Sequence, residues 1–230
     1  MSLYYQDEHV TLYHGDCLTE HREWLNADVL VTDPPYGIAW ESHTGRQYGA
    51  ADGKPTGTMG RARVVKNDND TGARDAALNA WGSGAAVVFG SWRATRPDSV
   101  NHRLIWHKKG HPPGPLNAAF MSQDEEIYIL GKGFRKSSPP LRSVIATTES
   151  RPTEVRAVGH PTPKPIPLME TLVDRCPPGV IADPFAGSGA TLIAARNLGR
   201  KSIGVELEEK YCEIIATRLD QQVIDFEALM

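Results

Sequence analysis

The chain has 230 residues, of which 40% are hydrophobic, and its formal net charge is -3. This length suits a single α/β domain spanning 1–230, with one buried core. The three cysteines are scattered and form no Cys-x-x-Cys pair, which argues against a disulfide framework and a zinc site. The first residues lack a secretory pattern and no stretch is apolar enough for a membrane helix, so we expect a cytoplasmic protein.

Seven short apolar segments predict β-strands, and helical periodicity fills most of the intervals between them. The predicted strands are 9–13, 28–32, 86–90, 103–108, 125–131, 179–183 and 202–206. The predicted helices are 72–81, 93–101, 164–175, 189–198 and 208–223. This alternation indicates a mostly parallel, doubly wound sheet. Because no convincing helix separates 103–108 from 125–131, these two strands predict an antiparallel hairpin at one sheet edge.

Two tracts rich in glycine, proline or hydroxyl residues interrupt the pattern and predict long loops, 41–70 and 132–163. Long loops in compact domains are usually functional or disordered. Both tracts are basic in an otherwise acidic chain. Segment 41–66 has five basic residues against two acidic ones, and segment 132–156 has six against two. A charged loop taken alone is more often solvated surface than a binding site.

Four predicted strands run into an acidic residue at the sheet edge where open α/β folds bind their ligands. These residues are Asp16, Asp33, Asp183 and Glu206. Each of them alone could be a helix cap or a turn residue. Because the carboxyl ends of parallel strands meet at one edge, the four acids together predict a single binding crevice.

The segment Gly187-Ser188-Gly189 lies between an apolar strand and a predicted helix, where glycines let the backbone approach a ligand closely. Leu192 stands where a dinucleotide-binding fingerprint needs a third small residue, which disfavours a nicotinamide or flavin dinucleotide. A nucleoside cofactor without pyrophosphate fits better. Glu206 ends the next strand, where an acid can bridge two ribose hydroxyls in such folds.

The most specific motif is Asp33-Pro34-Pro35-Tyr36, which follows the second predicted strand. Two prolines stiffen the turn, remove two backbone donors and leave carbonyl oxygens free to accept hydrogen bonds. A carboxylate and a proline carbonyl could hold the two hydrogens of an amine while the aromatic ring stacks on the base that carries it. The same four residues could also form only a rigid turn.

These motifs resemble those of the amino-directed DNA methyltransferases, which carry a D-P-P-Y catalytic motif and an F-x-G-x-G cofactor motif. The cofactor motif here reads Phe185-Ala186-Gly187-Ser188-Gly189. It follows the catalytic motif, which is the circularly permuted order of the beta class. The resemblance covers nearly the whole chain and implies a Rossmann-like, S-adenosylmethionine-dependent methyltransferase fold. We therefore expect an α/β fold with a seven-stranded, mostly parallel sheet and an antiparallel edge hairpin.

The resemblance implies roles for two groups of residues. The segment 160–165 is similar to one that packs near the methionine part of the cofactor, although Pro163 replaces the usual Gln or Glu. Asp16 matches an acid near the cofactor adenine, and Glu206 matches the ribose ligand. The implied catalytic residues are Asp33, Pro34, Pro35 and Tyr36. The implied cofactor-binding residues are Asp16, Cys17, His160, Thr162, Lys164, Pro165, Asp183, Pro184, Phe185, Ala186, Gly187, Ser188, Gly189 and Glu206.

The implied reaction is attack by a base amine on the methyl group of S-adenosyl-L-methionine, which releases S-adenosylhomocysteine without a covalent enzyme intermediate. The implied partner is double-stranded DNA with one base flipped out, and Asp33 favours adenine because cytosine relatives more often have Ser there. Segment 132–158 stands in the place of a target-recognition region, and loop 41–70 follows the catalytic turn. We expect both basic loops to contact DNA.

Three alternatives stay open at this level. The first is transfer to the exocyclic amine of cytosine. The second is a cofactor-binding or DNA-binding module without catalysis, which would require a damaged catalytic turn, whereas all four turn residues are intact. The third is an RNA or small-molecule methyltransferase. The resemblance also allows a homodimer and a role in restriction-modification, and it implies neither a metal nor a membrane partner.

Overall fold

The computed structural model describes residues 2–38, 68–109, 119–120, 122–147 and 163–227, with side chains as far as residue 221. This part of the chain contains nine strands in one sheet. They are β1 (Leu3–Gln6), β2 (Val10–His14), β3 (Val29–Thr32), β4 (Ala85–Gly90), β5 (Val100–Lys108), β6 (Asp124–Leu130), β7 (Val144–Thr147), β8 (Ile181–Asp183) and β9 (Ser202–Glu206). The described helices are α1 (Gly72–Trp81), α2 (Ile166–Arg175), α3 (Ala190–Asn197) and α4 (Glu209–Glu227), with a 3-10 helix at Glu23–Asn26.

The strand order is β1-β2-β9-β8-β3-β4-β6-β5-β7. From β2 to β4 every neighbouring pair is parallel, whereas β1 and β6 run antiparallel to their neighbours. This confirms the predicted α/β class with a mostly parallel sheet. Because β6 is antiparallel, its first residues lie at the same sheet edge as the last residues of β4 and β5.

The central strands β3, β4 and β8 are buried along their whole length because both faces of the sheet are covered. All residues of β3 and β4 are buried. Successive side chains of a strand point to opposite faces, so Val29 and Val31 join Met169 of α2 in one core cluster. Leu30 packs in a second cluster with Trp24 of the 3-10 helix. No helix in the described part of the chain is long and apolar enough to cross a membrane.

Three expectations from the sequence are wrong in detail. The described sheet has nine strands rather than seven, because β1 and β7 add to it. The hairpin of β5 and β6 is not at the edge, since β7 pairs in parallel with the outer side of β5. Strand β7 was missed because its four residues lie in a tract whose composition predicts a loop.

The predicted helix 93–101 is also wrong. Turns occupy 92–99, and β5 begins at Val100. Pro97 disfavours helical backbone at the residue before it, and Ser99 has a positive φ of 60°. The helix predicted at 72–81 is confirmed at both ends, and the other three predicted helices are present with shifted bounds.

Candidate active site

The carboxyl ends of the parallel strands surround a cavity of about 360 Å³. Ligand pockets for small molecules commonly have volumes of about 300–1,000 Å³. The structure brings all four predicted acids, Asp16, Asp33, Asp183 and Glu206, to the wall of this one cavity. The strand ends therefore converge as the parallel topology requires.

Most of the predicted site residues line this cavity. The lining residues among them are Asp16, Cys17, Asp33, Pro34, Pro35, Tyr36, Lys164, Asp183, Pro184, Phe185, Ala186, Gly187, Ser188 and Glu206. Pro165 and Gly189 do not line it: Pro165 caps α2, and Gly189 caps α3. His160 and Thr162 lie outside the described residues.

The glycine loop after β8 needs its glycine at position 189. Gly189 has a φ of +79°, and a Cβ atom there would lie 2.9 Å from the Ile215 side chain. A larger residue would be strained in this backbone region and would push the loop away from α4. The loop is thereby packed closely enough to direct the Gly187 amide at Glu206.

The Glu206 carboxylate is held by backbone N–H groups. Its two carboxylate oxygens accept hydrogen bonds from the N–H groups of Gly187 at 2.7 Å and Glu208 at 2.8 Å. Burial raises the pKa of Glu206 to about 7, against the smaller opposing effect of those N–H groups. Each oxygen keeps a second lone pair for a hydroxyl donor from a ligand.

Asp183 is similar. Its Oδ1 accepts hydrogen bonds from the Thr32 hydroxyl at 2.7 Å and the Phe185 N–H at 3.2 Å. Burial raises the pKa of Asp183 to about 6. The pKa values of both carboxyls therefore lie close to neutral pH. On this side of the cavity, burial penalises the charged carboxylates more than hydrogen bonds from the protein stabilise them.

Asp16 and Cys17 form the wall beside Glu206. Asp16 Oδ1 accepts hydrogen bonds from the N–H groups of Leu18 at 2.7 Å and Thr19 at 3.1 Å. This fixes the turn after β2. Burial raises the pKa of the Cys17 thiol to about 12, so that this cysteine contributes shape rather than a nucleophile.

The Asp33-Pro34-Pro35-Tyr36 turn also lines the cavity, and the Asp33 carboxylate has two partners within the protein. The Tyr36 hydroxyl donates to Asp33 Oδ1 at 2.6 Å. The Lys164 ammonium donates to Asp33 Oδ2. Burial raises the pKa of the Asp33 carboxyl, even though the Lys164 ammonium opposes that shift.

Lys164 was grouped with the cofactor residues from the sequence, and the structure brings its ammonium to the catalytic motif. The residue is only 7% exposed. Its Nζ lies 5.0 Å from the ring centroid of Phe89 and 5.9 Å from that of Trp106. Such aromatic faces stabilise a buried cation. Its second carboxylate partner is Glu125, at 3.3 Å.

Glu125 and Lys108 complete the cluster, and neither was identified from the sequence. Lys108 Nζ pairs with Glu125 Oε1, and the Tyr36 hydroxyl lies 3.0 Å from Glu125 Oε2. Burial alone would raise the pKa of Glu125, but the two lysine ammonium groups outweigh it and lower the pKa to about 2. The missed signal was the antiparallel direction of β6, which puts the start of that strand at the ligand edge.

Two exposed aromatic side chains stand out near this end of the sheet. Trp92 follows β4, lines the cavity and is 64% exposed, and the Arg93 guanidinium lies 5.6 Å from its ring centroid. Phe120, in the connection between β5 and β6, is 93% exposed. Large exposed aromatics often mark a binding surface. The sequence offered a hint, since Trp92 comes two residues after a predicted strand end.

The two basic loops are described only in part. Loop 41–70 lies outside the described residues except for 68–70, and segment 132–158 is described only for 132–147. Asp68 accepts a hydrogen bond from the Gly37 N–H at 2.7 Å, which ties the end of the first loop to the residue after the catalytic motif.

Comparison with known proteins gives matches over most of the chain. A family model described as DNA methylase matches residues 98–217. The Type II methyltransferase M.ScaI of Streptomyces caespitosus is 26% identical over 95% of this chain and 84% of its own length.

Two solved structures share the fold. A complex of M1.HpyAVI with SAM superposes with a TM-score of 0.64, at 21% identity, covering 91% of this chain and 98% of that one. The cytosine-N4-specific PvuII DNA methyltransferase superposes with a TM-score of 0.65, at 14% identity, covering 94% and 88%.

Proposed function

Because the chain belongs to the DNA methylase family, we propose that it methylates the exocyclic amine of adenine in double-stranded DNA, using S-adenosyl-L-methionine. The family model matches more than half of the chain and establishes membership of the DNA methylase family, without naming the base that is methylated. One observation carries the finer proposal. The intact Asp33-Pro34-Pro35-Tyr36 turn faces the same cavity as the glycine loop and Glu206.

The cofactor side of the cavity suits S-adenosyl-L-methionine. Glu206 keeps lone pairs for two ribose hydroxyls, and Gly187 holds its carboxylate in place. Asp16 and Leu207 lie on the same wall, where an adenine ring would be bounded by a polar and an apolar side chain. When bound, the cofactor supplies an electrophilic methyl group on a sulfonium and a neutral thioether leaving group.

The remaining task of the protein is to orient the amine of the base. Asp33 and the Pro34 carbonyl accept the two amine hydrogens, which directs the nitrogen lone pair away from them and into the cavity. Tyr36 stacks on the base. Such alignment of two reacting groups can contribute several kcal/mol to catalysis, on the order of 7–11 kcal/mol in the best cases.

A target base must leave the duplex to reach this cavity, which costs a few kcal/mol of stacking and pairing. Trp92 gives an exposed ring for stacking at its mouth, and Arg93 gives a cation for a phosphate. The basic segments 41–66 and 132–156 supply further phosphate contacts.

Charge reversal at Arg61 and Arg63 should weaken DNA binding and reduce its salt dependence, because fewer counterions are released from the DNA. Unchanged salt dependence would contradict a DNA role for the first loop.

The second candidate is transfer to the N4 amine of cytosine. It is favoured by the similarity in fold to the PvuII enzyme, which is cytosine-N4-specific. Asp33 supports adenine. Both reactions need an oriented exocyclic amine and an aromatic ring stacked on the base, so product analysis must decide between them.

The experiment is to incubate the purified protein with unmethylated double-stranded DNA and S-adenosyl-L-methionine, digest the DNA, and identify methylated nucleosides by mass spectrometry. N6-methyladenine supports the proposal, and N4-methylcytosine supports the second candidate. A parallel reaction with RNA tests the RNA alternative. Methylated RNA with unmethylated DNA would overturn both proposals.

A further inference from the structure

Both oxygens of the Asp33 carboxylate are engaged by donors of the protein itself. The Tyr36 hydroxyl lies 2.6 Å from Oδ1, and the Lys164 ammonium pairs with Oδ2. Under the proposed function, a target amine must donate to one of these oxygens. A carboxylate oxygen can accept a second hydrogen bond, so the amine hydrogen shares its oxygen with an internal donor, and the contact of that donor weakens when the base arrives.

A buried donor that loses its acceptor is costly. An unpaired buried hydroxyl costs about 1–3 kcal/mol, and an unpaired buried ammonium costs more. Lys164 is 7% exposed, so water cannot readily replace Asp33 as its partner. The two donors thus need a second acceptor within reach.

Glu125 is that acceptor for both donors. Its Oε2 lies 3.0 Å from the Tyr36 hydroxyl and 3.3 Å from the Lys164 ammonium. Its other oxygen, Oε1, pairs with Lys108. The carboxylate is therefore anchored on one side and presents its second oxygen to the two groups that contact Asp33.

We propose that Glu125 is a positioning residue for methyl transfer, which accepts the Lys164 ammonium and the Tyr36 hydroxyl as the target amine takes their place on Asp33. This inference rests on the proposed function. It assigns Lys164 to the control of Asp33 rather than to the cofactor. No bond is made or broken within the protein, and the exchange moves only hydrogen-bond partners.

The charges of the cluster suit such an exchange. Asp33 faces Lys164, Tyr36 and Glu125, with Asp183 as a further negative neighbour. Glu125 faces Lys108 in addition. Two carboxylates and two ammonium groups balance, so Lys164 can move from one carboxylate to the other without a change in total charge. The rings of Phe89 and Trp106 lie beside its Nζ, which already contacts both carboxylates.

The first test is Glu125→Gln. A neutral amide is a weaker acceptor for an ammonium, so Lys164 stays on Asp33, and single-turnover methyl transfer should slow by about tenfold to a hundredfold. Cofactor affinity should not change. The acid limb of the pH–rate profile should move to lower pH, because Glu125 raises the pKa of Asp33 and its charge is lost. An unchanged rate, or a slower rate with an unmoved acid limb, would overturn the proposal.

The matched control is Glu126→Gln. Glu126 is the next residue of β6, is more deeply buried than Glu125, and pairs with Arg96 and Arg103 instead of the catalytic motif. The acid limb should stay in place in this variant. If it moves as far as in Glu125→Gln, loss of any buried acid from β6 explains the effect and the proposal fails.

A double-mutant cycle covers the case in which Glu125→Gln folds poorly. In a Lys164→Gln background no ammonium competes for Asp33, so removal of the Glu125 charge should have a smaller effect than in the natural protein. Equal effects in both backgrounds would contradict the proposal. Inactivity of the natural protein on every DNA tested would instead refute the proposed function, so the two failures are distinguishable.

Discussion

The two sides of the cavity hold their buried acids with different partners. On the proposed cofactor side, Asp183 and Glu206 are held by backbone N–H groups and a threonine hydroxyl, and burial raises their pKa values to about 6 and about 7. On the proposed catalytic side, Asp33 and Glu125 pair with Lys164 and Lys108. The pKa of Glu125 falls to about 2, whereas burial still raises the pKa of Asp33.

This difference indicates how each side is completed. The cofactor side has acceptors in excess, and hydroxyl donors from a ligand would satisfy them. On the catalytic side each acid already has an ammonium and a hydroxyl partner, so a substrate must share these carboxylates with donors of the protein itself. We expect substitutions on the cofactor side to change cofactor affinity and substitutions on the catalytic side to change the rate of methyl transfer.

The strongest way to separate the two sides is Asp33→Ala. Methyl transfer to DNA should fall by about 100- to 1,000-fold, because the amine loses the acceptor that orients it. Cofactor affinity should stay the same, since Lys164 keeps Glu125 as a partner at 3.3 Å. Single-turnover kinetics and calorimetry with the cofactor measure both quantities, and a full rate in this variant would refute the role of Asp33.

The converse change is Glu206→Gln. Charged hydrogen bonds are worth about 1.5–3 kcal/mol, so the cofactor should bind about 10- to 100-fold more weakly, while the rate at saturating cofactor recovers. Glu209→Gln is the matched control, because Glu209 is an exposed acid three residues further on. Equal affinities for the natural protein and Glu206→Gln would remove Glu206 from the proposed cofactor site.

Trp92→Ala extends the comparison to the mouth of the cavity. Loss of one stacking ring should weaken DNA binding by about fivefold to fiftyfold and leave cofactor binding unchanged. Fluorescence anisotropy with labelled DNA measures this. Leu198→Ala, an exposed apolar residue at the far end of α3, should bind DNA normally. A similar loss in both variants would point to a general effect on stability.

The last prediction concerns stability and follows from the raised pKa of Glu206 on the cofactor side. Because folding raises the pKa of Glu206 from 4.5 to about 7, its contribution is fully present below about pH 4.5 and is lost as the pH rises through 7. The loss is at most about 3 kcal/mol. Thermal unfolding without cofactor should therefore show a lower Tm at pH 8 than at pH 5, with a shallower slope in Glu206→Gln. An identical slope would contradict the raised pKa.

The two sides also differ in how far they could be predicted from the sequence. Asp16, Asp183 and Glu206 end parallel strands, and their recorded backbone partners lie within a few residues or on the adjacent glycine loop. Glu125 escaped the same reasoning because it begins a strand instead of ending one. Trp92 was missed because 93–101 was predicted as a helix, whereas the chain turns there and then enters β5.

The alternation of strands and helices, the acids at the strand ends, the glycine loop and the Asp33-Pro34-Pro35-Tyr36 turn could be predicted from the sequence, because each depends on neighbouring residues. The meeting of charges from distant parts of the chain could not, because it depends on the folded arrangement of the strands. Insertion of β6 between β4 and β5 brings Glu125 to Tyr36, 89 residues away, and the start of α2 brings Lys164 to Asp33, 131 residues away. Strand order sets such pairings, and burial then requires each charge to find a partner.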